Sequence, residues 1–313
     1  MGGVPPSLAA ALAAGPVVLD GGLATELEAR GHDLSSALWS ARLLRDDPAA
    51  IVAAHAAFAA AGAQVATTAS YQATPEGFAA AGVDRADTRR LLELSVVLAR
   101  EGAPGAWVAG SVGPYGAMLA DGSEYTGDYT KPAWPGRTGG GLTVAELRAF
   151  HRERMAVLAE AGADVLACET VPAAAEAGAL VAEAEALGVP FWLSLTTVVG
   201  GDGVVRTRRG EPAAEVFALA AGAAHLVAVG VNCTDPAGVP AAVAAAAATG
   251  KPVVLYPNSG ERWDAAARRW TGRAGIADGD VRAWVAAGAR LVGGCCRVGP
   301  DRIGAIAAAV HRA

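Results

Sequence analysis

Ala-Gly-Ala recurs at 61–63, 161–163, 221–223 and 287–289, each time after a helical pattern and shortly before an apolar run. Glycine accepts the left-handed conformation that stops a helix, so the triplet reads as helix, stop, strand. Gly188 before Val189-Pro190 and Gly250 before Lys251-Pro252 repeat the junction in other letters. Such punctuation alternates helix with buried strand, the pattern of a parallel sheet covered by helices. The apolar runs number eight: Val17–Asp20, Gln64–Ala69, Ala106–Ser111, Asp164–Glu169, Phe191–Thr196, Leu226–Asn232, Val253–Tyr256 and Arg290–Gly294. Helical patterns fill the gaps, among them Pro48–Ala61, Asp84–Glu101, Thr143–Ala161, Ala173–Leu187 and Pro236–Ala248. Eight βα units in 313 residues predict a (β/α)8 TIM barrel, one α/β domain spanning 1–313. A doubly wound sheet would require a G-x-G-x-x-G turn after the first strand, and Asp20-Gly21-Gly22-Leu23 lacks it.

In a barrel, function belongs to the carboxyl ends of the strands. Those ends carry Asp20, Thr67-Thr68, Ser111, Glu169, Thr196, Asn232-Cys233, Asn258 and Cys295-Cys296. The amino ends carry mostly Ala, Gly and Pro. Three connections exceed what a barrel needs: Val112–Gly141, read as a lid; Val198–Gly210, with an arginine cluster; and Pro257–Gly275, with Trp263 and Trp270.

Cys295 and Cys296 are adjacent, a poor geometry for a disulfide between them, and Cys233 sits at an equivalent strand end. Three thiols at strand ends suit a soft metal, zinc first, with one coordination position open as in catalytic sites. The plainer alternative is that each is a small buried hydrophobe. Neighbours in a strand point to opposite faces, so both members of the doublet reach one ion only if the strand has ended. The same alternation sends Cys168, next to Glu169, toward the helical shell. The four cysteines of so long a chain are no disulfide framework, and reduced thiols fit a cytoplasmic protein. A formal charge of −6 gives no footprint for nucleic acid. No long uncharged apolar run marks a membrane span, and Met1–Gly15 lacks the basic start of a signal peptide.

None of the five histidines falls at a strand top, which weighs against a histidine-based zinc hydrolase. Asp20 and Glu169 can hold a substrate ammonium or act as acid and base, although Asp20 can equally cap the helical stretch that follows it. Gly21 and Gly22 offer backbone N–H groups to a carboxylate.

Asp20-Gly21-Gly22-Leu23-Ala24-Thr25-Glu26-Leu27, Thr67-Thr68-Ala69-Ser70-Tyr71-Gln72, Gly110–Gly116, Gly230–Cys233, Tyr256–Glu261 and Gly293–Arg297 together resemble the homocysteine S-methyltransferase family, from about Val17 to Val310. The resemblance implies a zinc-dependent barrel that methylates homocysteine to methionine. It implies that Cys233, Cys295 and Cys296 hold zinc and that Asp20 and Glu169 contact the homocysteine amino group. Gly21, Gly22, Tyr71, Asn232 and Asn258 complete the expected substrate-binding set, with homocysteine displacing either a water or the Asn258 side-chain oxygen from the metal. The small-molecule partners it implies are homocysteine and a sulfonium donor, S-methylmethionine or S-adenosylmethionine. Thr170 stands where betaine-using relatives carry tyrosine. Tyr71, Tyr115 and Trp263 are candidate cation–π partners for the sulfonium. Lys131–Gly140, an apparent insertion, and Thr196–Val199 depart from the family pattern near the expected donor side. A zinc hydrolase or lyase and a redox-sensing thiol protein are the alternatives from other classes.

Overall fold

The structure is a computed structural model that describes residues 6–35, 38–264, 269–271 and 275–313. The chain runs through α1 (Leu8–Ala14), β1 (Val17–Val18), α2 (Leu23–Ala29), α3 (Leu43–Asp46) and α4 (Pro48–Ala60) to β2 (Val65–Thr67). It continues through α5 (Pro75–Ala80), α6 (Arg85–Gly102), β3 (Trp107–Val112), α7 (Tyr115–Leu119), α8 (Val144–Glu160) and β4 (Val165–Val171). Next come α9 (Ala174–Leu187), β5 (Phe191–Leu195), the short strands β6 (Thr197–Val199) and β7 (Val205–Thr207), α10 (Ala213–Ala221) and β8 (Leu226–Asn232). The last part holds α11 (Val239–Ala247), β9 (Val253–Tyr256), β10 (Arg262–Asp264), β11 (Arg269–Thr271), α12 (Asp278–Ala286), β12 (Ala289–Val292) and α13 (Pro300–Val310).

Eight parallel strands lie in the order β1, β12, β9, β8, β5, β4, β3, β2, and a parallel bridge from Leu19 to Val65 brings the two edges together. The sheet thus closes into a barrel with helices between its strands. Every one of these strands falls within or overlaps an apolar run of the sequence; the first is shortened to two residues plus the bridge at Leu19. The loops after the fifth and seventh barrel strands hold antiparallel hairpins, β6–β7 and β10–β11, that the sequence did not announce. Both hairpins stand at the carboxyl end of the barrel.

Alternation along the strands divides the core in two. Val17, Leu19, Val65, Ala109, Val165, Ala167, Trp192, Val254 and Leu291 pack inside the barrel, joined by Leu8 and Leu12 of α1. The Trp107 indole donates to the Pro6 carbonyl at 3.0 Å, so α1 closes the amino end of the barrel. Val18, Ala66, Val108, Leu166, Cys168 and Leu193 face the helices instead. Burying a Leu, Val or Phe completely contributes roughly 1.5–3 kcal/mol. With one end closed and the interior filled, the carboxyl end is left open to a ligand.

Gly230 in β8 shows how tightly the ladder is closed. A Cβ there would stand 1.8 Å from the Val254 carbonyl oxygen, a backbone atom that cannot step aside. Gly230→Ala should therefore lose about 2–3 kcal/mol in urea unfolding. Gly178, in the interior of α9 with nothing within 4 Å of its would-be Cβ, is the control. Gly178→Ala should gain about 0.5–1 kcal/mol, because glycine is a poor helix former.

Candidate functional site

The strand ends converge on a cavity of about 130 Å³ lined by Asp20, Thr67, Ser111, Glu169, Asn232, Cys233, Cys295 and Cys296, with Gly21, Gly22, Trp39, Tyr71 and Tyr125 on its walls. That is room for a small molecule. Among the described residues no histidine lines it.

Asp20 leaves β1 pointing inward and is 4 % exposed. Its carboxylate accepts the Thr67 N–H at 2.6 Å and the Thr67 hydroxyl at 2.8 Å. It caps nothing: the N-cap of α2 is Gly22, with no side-chain hydrogen bond. Burial pushes its pKa up to about 7, and the charge of Glu169 adds to the rise. Glu169, on β4, accepts from the Ser111 hydroxyl and from Tyr256, and burial raises its pKa too. Two desolvated carboxyls in one cavity are unfavourable when both are charged, and a cation placed between them relieves both penalties.

Asn232 ends β8 with its amide oxygen doubly engaged and one of its two N–H donors used. Its Oδ1 accepts the Thr170 N–H and the Ser194 hydroxyl, each at 2.7 Å, and its Nδ2 donates to Thr170 Oγ1 at 2.7 Å. Thr170 is a non-glycine residue at φ +58°, where the β4–β5 register shifts. Asn232 thus lines the cavity and supports that bend, with one Nδ2–H left uncommitted. Asn258 is not among the residues that line the cavity, and its Oδ1 accepts the Cys296 N–H at 3.2 Å. The glycine pair is used for close packing. A Cβ on Gly21 would lie 2.2 Å from Val298 O and one on Gly22 2.6 Å from Cys295 O. The Gly22 N–H already donates to Val298 O at 2.9 Å, so it is not open to a carboxylate.

The three cysteines do converge. Cys233 turns out of β8 at φ +46°, and β12 has ended at Val292 before Cys295 and Cys296 begin. Arg297, at φ +65°, completes the turn that lets neighbouring side chains face one point. All three Sγ atoms lie within 4.8 Å of one another, Cys233 to Cys296 at 3.9 Å and Cys295 to Cys296 at 4.0 Å. A tetrahedral zinc with sulfur at its usual bond length sets its ligands about 3.8 Å apart, which the two separations to Cys296 match; the donor set fits the ion once Cys233 and Cys295 are parted. The structure joins Cys233 and Cys295 as a disulfide and leaves Cys296 a thiol, which departs from the expectation of three reduced thiols. Metal ligation takes thiolates, so Cys233 and Cys295 serve as ligands only in the reduced state. Cys168 is buried among helix-facing side chains, as its place in the strand predicts, and burial pushes its pKa up to about 12.

Tyr71 lines the cavity with its hydroxyl on Thr170. Tyr115 does not; its ring packs on Tyr129 and Phe150 at 5.3 and 4.8 Å. The Trp263 and Trp270 side chains fall outside the described residues. The stretch read as a lid contributes Tyr125 to the cavity wall. Its 3-10 turn Ser123–Tyr125 carries Tyr125 to within hydrogen-bonding reach of Cys296. Behind it, the buried Glu176 carboxylate takes the Tyr115 N–H at 2.7 Å, the Tyr129 hydroxyl, and His151 Nε2 at 2.9 Å. His151 Nδ1 then accepts from Arg154 at 2.7 Å, and Arg154 also donates to the Gly113 carbonyl. A carboxylate on one nitrogen and a guanidinium on the other fix His151 as the neutral Nε2–H tautomer, and burial lowers its pKa to about 4. The insertion Lys131–Gly140 packs toward the start of α8 through Arg137 and Glu146, and none of it lines the cavity. Trp39 and Tyr125 are wall residues that the sequence left unmarked, since neither falls at a strand end.

A sequence model described as homocysteine S-methyltransferase matches residues 17–310 of the chain. The Bacillus subtilis homocysteine S-methyltransferase YbgG is 42 % identical over 309 residues, covering 93 % of each protein. The crystal structure of the metallated homocysteine methyltransferase MmuM from Escherichia coli superposes with a TM-score of 0.80 at 42 % identity, covering 94 % of this chain and 96 % of that one. The oxidised form of the same Escherichia coli protein matches with a TM-score of 0.80, covering 94 % and 95 %.

The Asp20 carboxyl generates a stability prediction. Its pKa stands at about 7 in the folded chain against 3.8 for an unperturbed group, so between those values the folded state holds the proton more tightly than the unfolded one. Stability is then lost as pH rises from about 4 through about 7 and stays lost above. Asp20→Asn removes this slope. Relative to wild type it should be more stabilising at pH 8 than at pH 5 by about 2 kcal/mol, read from urea midpoints of reduced, metal-free protein.

Proposed function

The chain belongs to the homocysteine S-methyltransferase family, and on that premise we propose that it transfers a methyl group from a sulfonium donor to homocysteine, giving methionine. The observation that carries this reading is the set of three cysteine sulfurs within 4.8 Å of one another, in the same cavity as two buried carboxyls. Cys233, Cys295 and Cys296 would hold zinc. Bound there, zinc would keep the acceptor sulfur as a thiolate at neutral pH, where a free thiol is mostly protonated.

The protein's own groups account for the rest. Asp20 and Glu169 pair with the homocysteine ammonium, which relieves their mutual repulsion and orients the acceptor. Thr67, Ser111 and Tyr256 hold those carboxyls in place. The thiolate attacks the sulfonium methyl in line; the carbon–sulfur bond to the donor breaks and one to the acceptor forms. The donor sulfur takes the electron pair and leaves as a neutral thioether, so no general acid is required. Aromatic rings at Tyr71, Tyr125 and Trp39, beside buried carboxyls, favour a cationic donor over a neutral one. Thr170, in place of the tyrosine of betaine-using relatives, supports S-methylmethionine or S-adenosylmethionine. Among the described residues no helix is long and apolar enough to cross a membrane. A reduced-thiol metal centre and small-molecule substrates suit a cytoplasmic enzyme.

Reduced, zinc-loaded protein should consume homocysteine and form methionine with S-methylmethionine or S-adenosylmethionine, and chelation should abolish this. It should carry about one zinc per chain, and Cys233→Ser, Cys295→Ser and Cys296→Ser should each lose metal and at least about 99 % of turnover. Cys168→Ser should keep both. Asp20→Asn and Glu169→Gln should keep zinc and raise the KM for homocysteine about tenfold or more. Absence of methionine with both donors, in protein shown to hold zinc, would sink the assignment.

A further inference from the structure

The arginine cluster after β5 is not accounted for by the acceptor site. Arg206 is paired with Asp202 at 2.6 Å on the surface, and Arg209 reaches Asp128 at 3.6 Å. Arg208 differs from both. Among the described residues no carboxylate lies within ion-pair distance of it, and its two terminal nitrogens make no hydrogen bond. Its Nε donates to Thr196 Oγ1 at 3.2 Å, and that hydroxyl donates to the Cys233 carbonyl at 3.2 Å. Its guanidinium carbon stands 5.9 Å from the centre of the Tyr125 ring, the same ring whose hydroxyl reaches Cys296. Arg208 is half-buried, and desolvation lowers its pKa.

A guanidinium presents a planar fork that matches a carboxylate, and burying one unpaired is unfavourable. Here the stem is fixed by Thr196 and the ring of Tyr125, while the fork is left unmatched beside the cysteine cluster. The acceptor's ammonium belongs with Asp20 and Glu169, on β1 and β4. Arg208 stands elsewhere, beyond the residues that line the cavity, in the turn that directly follows β7 of the β6–β7 hairpin.

We propose that Arg208 anchors the α-carboxylate of the methyl donor, so that the donor is recognised as a sulfonium amino acid and not as a bare sulfonium. This rests on the methyl-transfer reading above. It gives the departure at Thr196–Val199 a role: Thr196 sets the height of Arg208 above Cys233, and the hairpin carries the anchor.

The test pairs Arg208→Met and Arg208→Lys with two donors, S-methylmethionine and dimethyl(propyl)sulfonium, which lacks the carboxylate. Arg208→Met should lower kcat/KM for S-methylmethionine roughly 10- to 100-fold, the range for a lost hydrogen bond to a charged group, and mainly through KM. Arg208→Lys, which keeps the charge without the fork, should fall between. Transfer from dimethyl(propyl)sulfonium, the KM for homocysteine and the zinc content should not change. Equal losses with both donors would make Arg208 a structural residue, and a rise confined to the homocysteine KM would move it to the acceptor; either overturns the proposal. Calorimetry of S-methylmethionine binding separates this from the underlying reading, because it needs no turnover. Wild type should bind at least tenfold more tightly than Arg208→Met, and equal affinity would refute the anchor even in a protein that transfers no methyl group.

Discussion

Parallel pairing sets Val231 of β8 beside Leu255 of β9, and Leu255 beside Val292 of β12. Cys233 lies two residues past the first of these positions and Cys295 three past the last, so both leave the sheet at one height. Everything at the site depends on that register. A slip of one residue would turn each strand's inward set outward and carry the sulfurs apart. Gly230 lets β8 lie close enough to β9 for the ladder to hold, and Tyr256 O and Pro257 O take the N–H groups of Cys233 and Cys295 just above it.

Above the ladder the backbone departs from regular structure at the places where chemistry is needed. Thr170, Cys233 and Arg297 adopt positive φ without being glycine, and Trp39 does so on the cavity wall. Such conformations cost of order 1–3 kcal/mol each, and they persist where the surroundings over-determine them. For Thr170 the surroundings are two hydrogen bonds to Asn232, itself held by Ser194. For Cys233 they are the Tyr256 carbonyl and the Thr196 hydroxyl. The bends re-aim Glu169 and the sulfurs, which a continuing strand would have sent alternately to core and shell.

Electrostatic cost is concentrated in the same few ångströms. Asp20 and Glu169 are buried with hydroxyl and N–H donors but no cation among the described residues. In the proposed reaction an amino acid's ammonium would supply the missing charge. The cation that the fold does bury nearby, Arg154, is spent behind the wall, where His151 and Glu176 complete its charge balance and hold the segment bearing Tyr125. The site is therefore anionic toward its ligand and neutralised on its far side.

Strand count, parallel order and the end of the barrel that carries function were legible in the sequence, because glycine-stopped helices and apolar runs are local signals. The cysteine set was legible for the same reason, since thiols at strand ends are conspicuous one at a time. So was the outward place of Cys168, which follows from alternation alone. Side-chain commitments were not. Asn232 and Asn258 read as ligands, but that their side-chain oxygens also accept from Thr170, Ser194 and Cys296, 38 to 62 residues away, could not be read from the sequence. The open N–H read at Gly22 is taken by Val298. Tyr125 and Trp39 reach the cavity from loops whose path no periodicity describes. Which polar groups remain unspent is a property of long-range hydrogen bonding, and only the tertiary structure decides it.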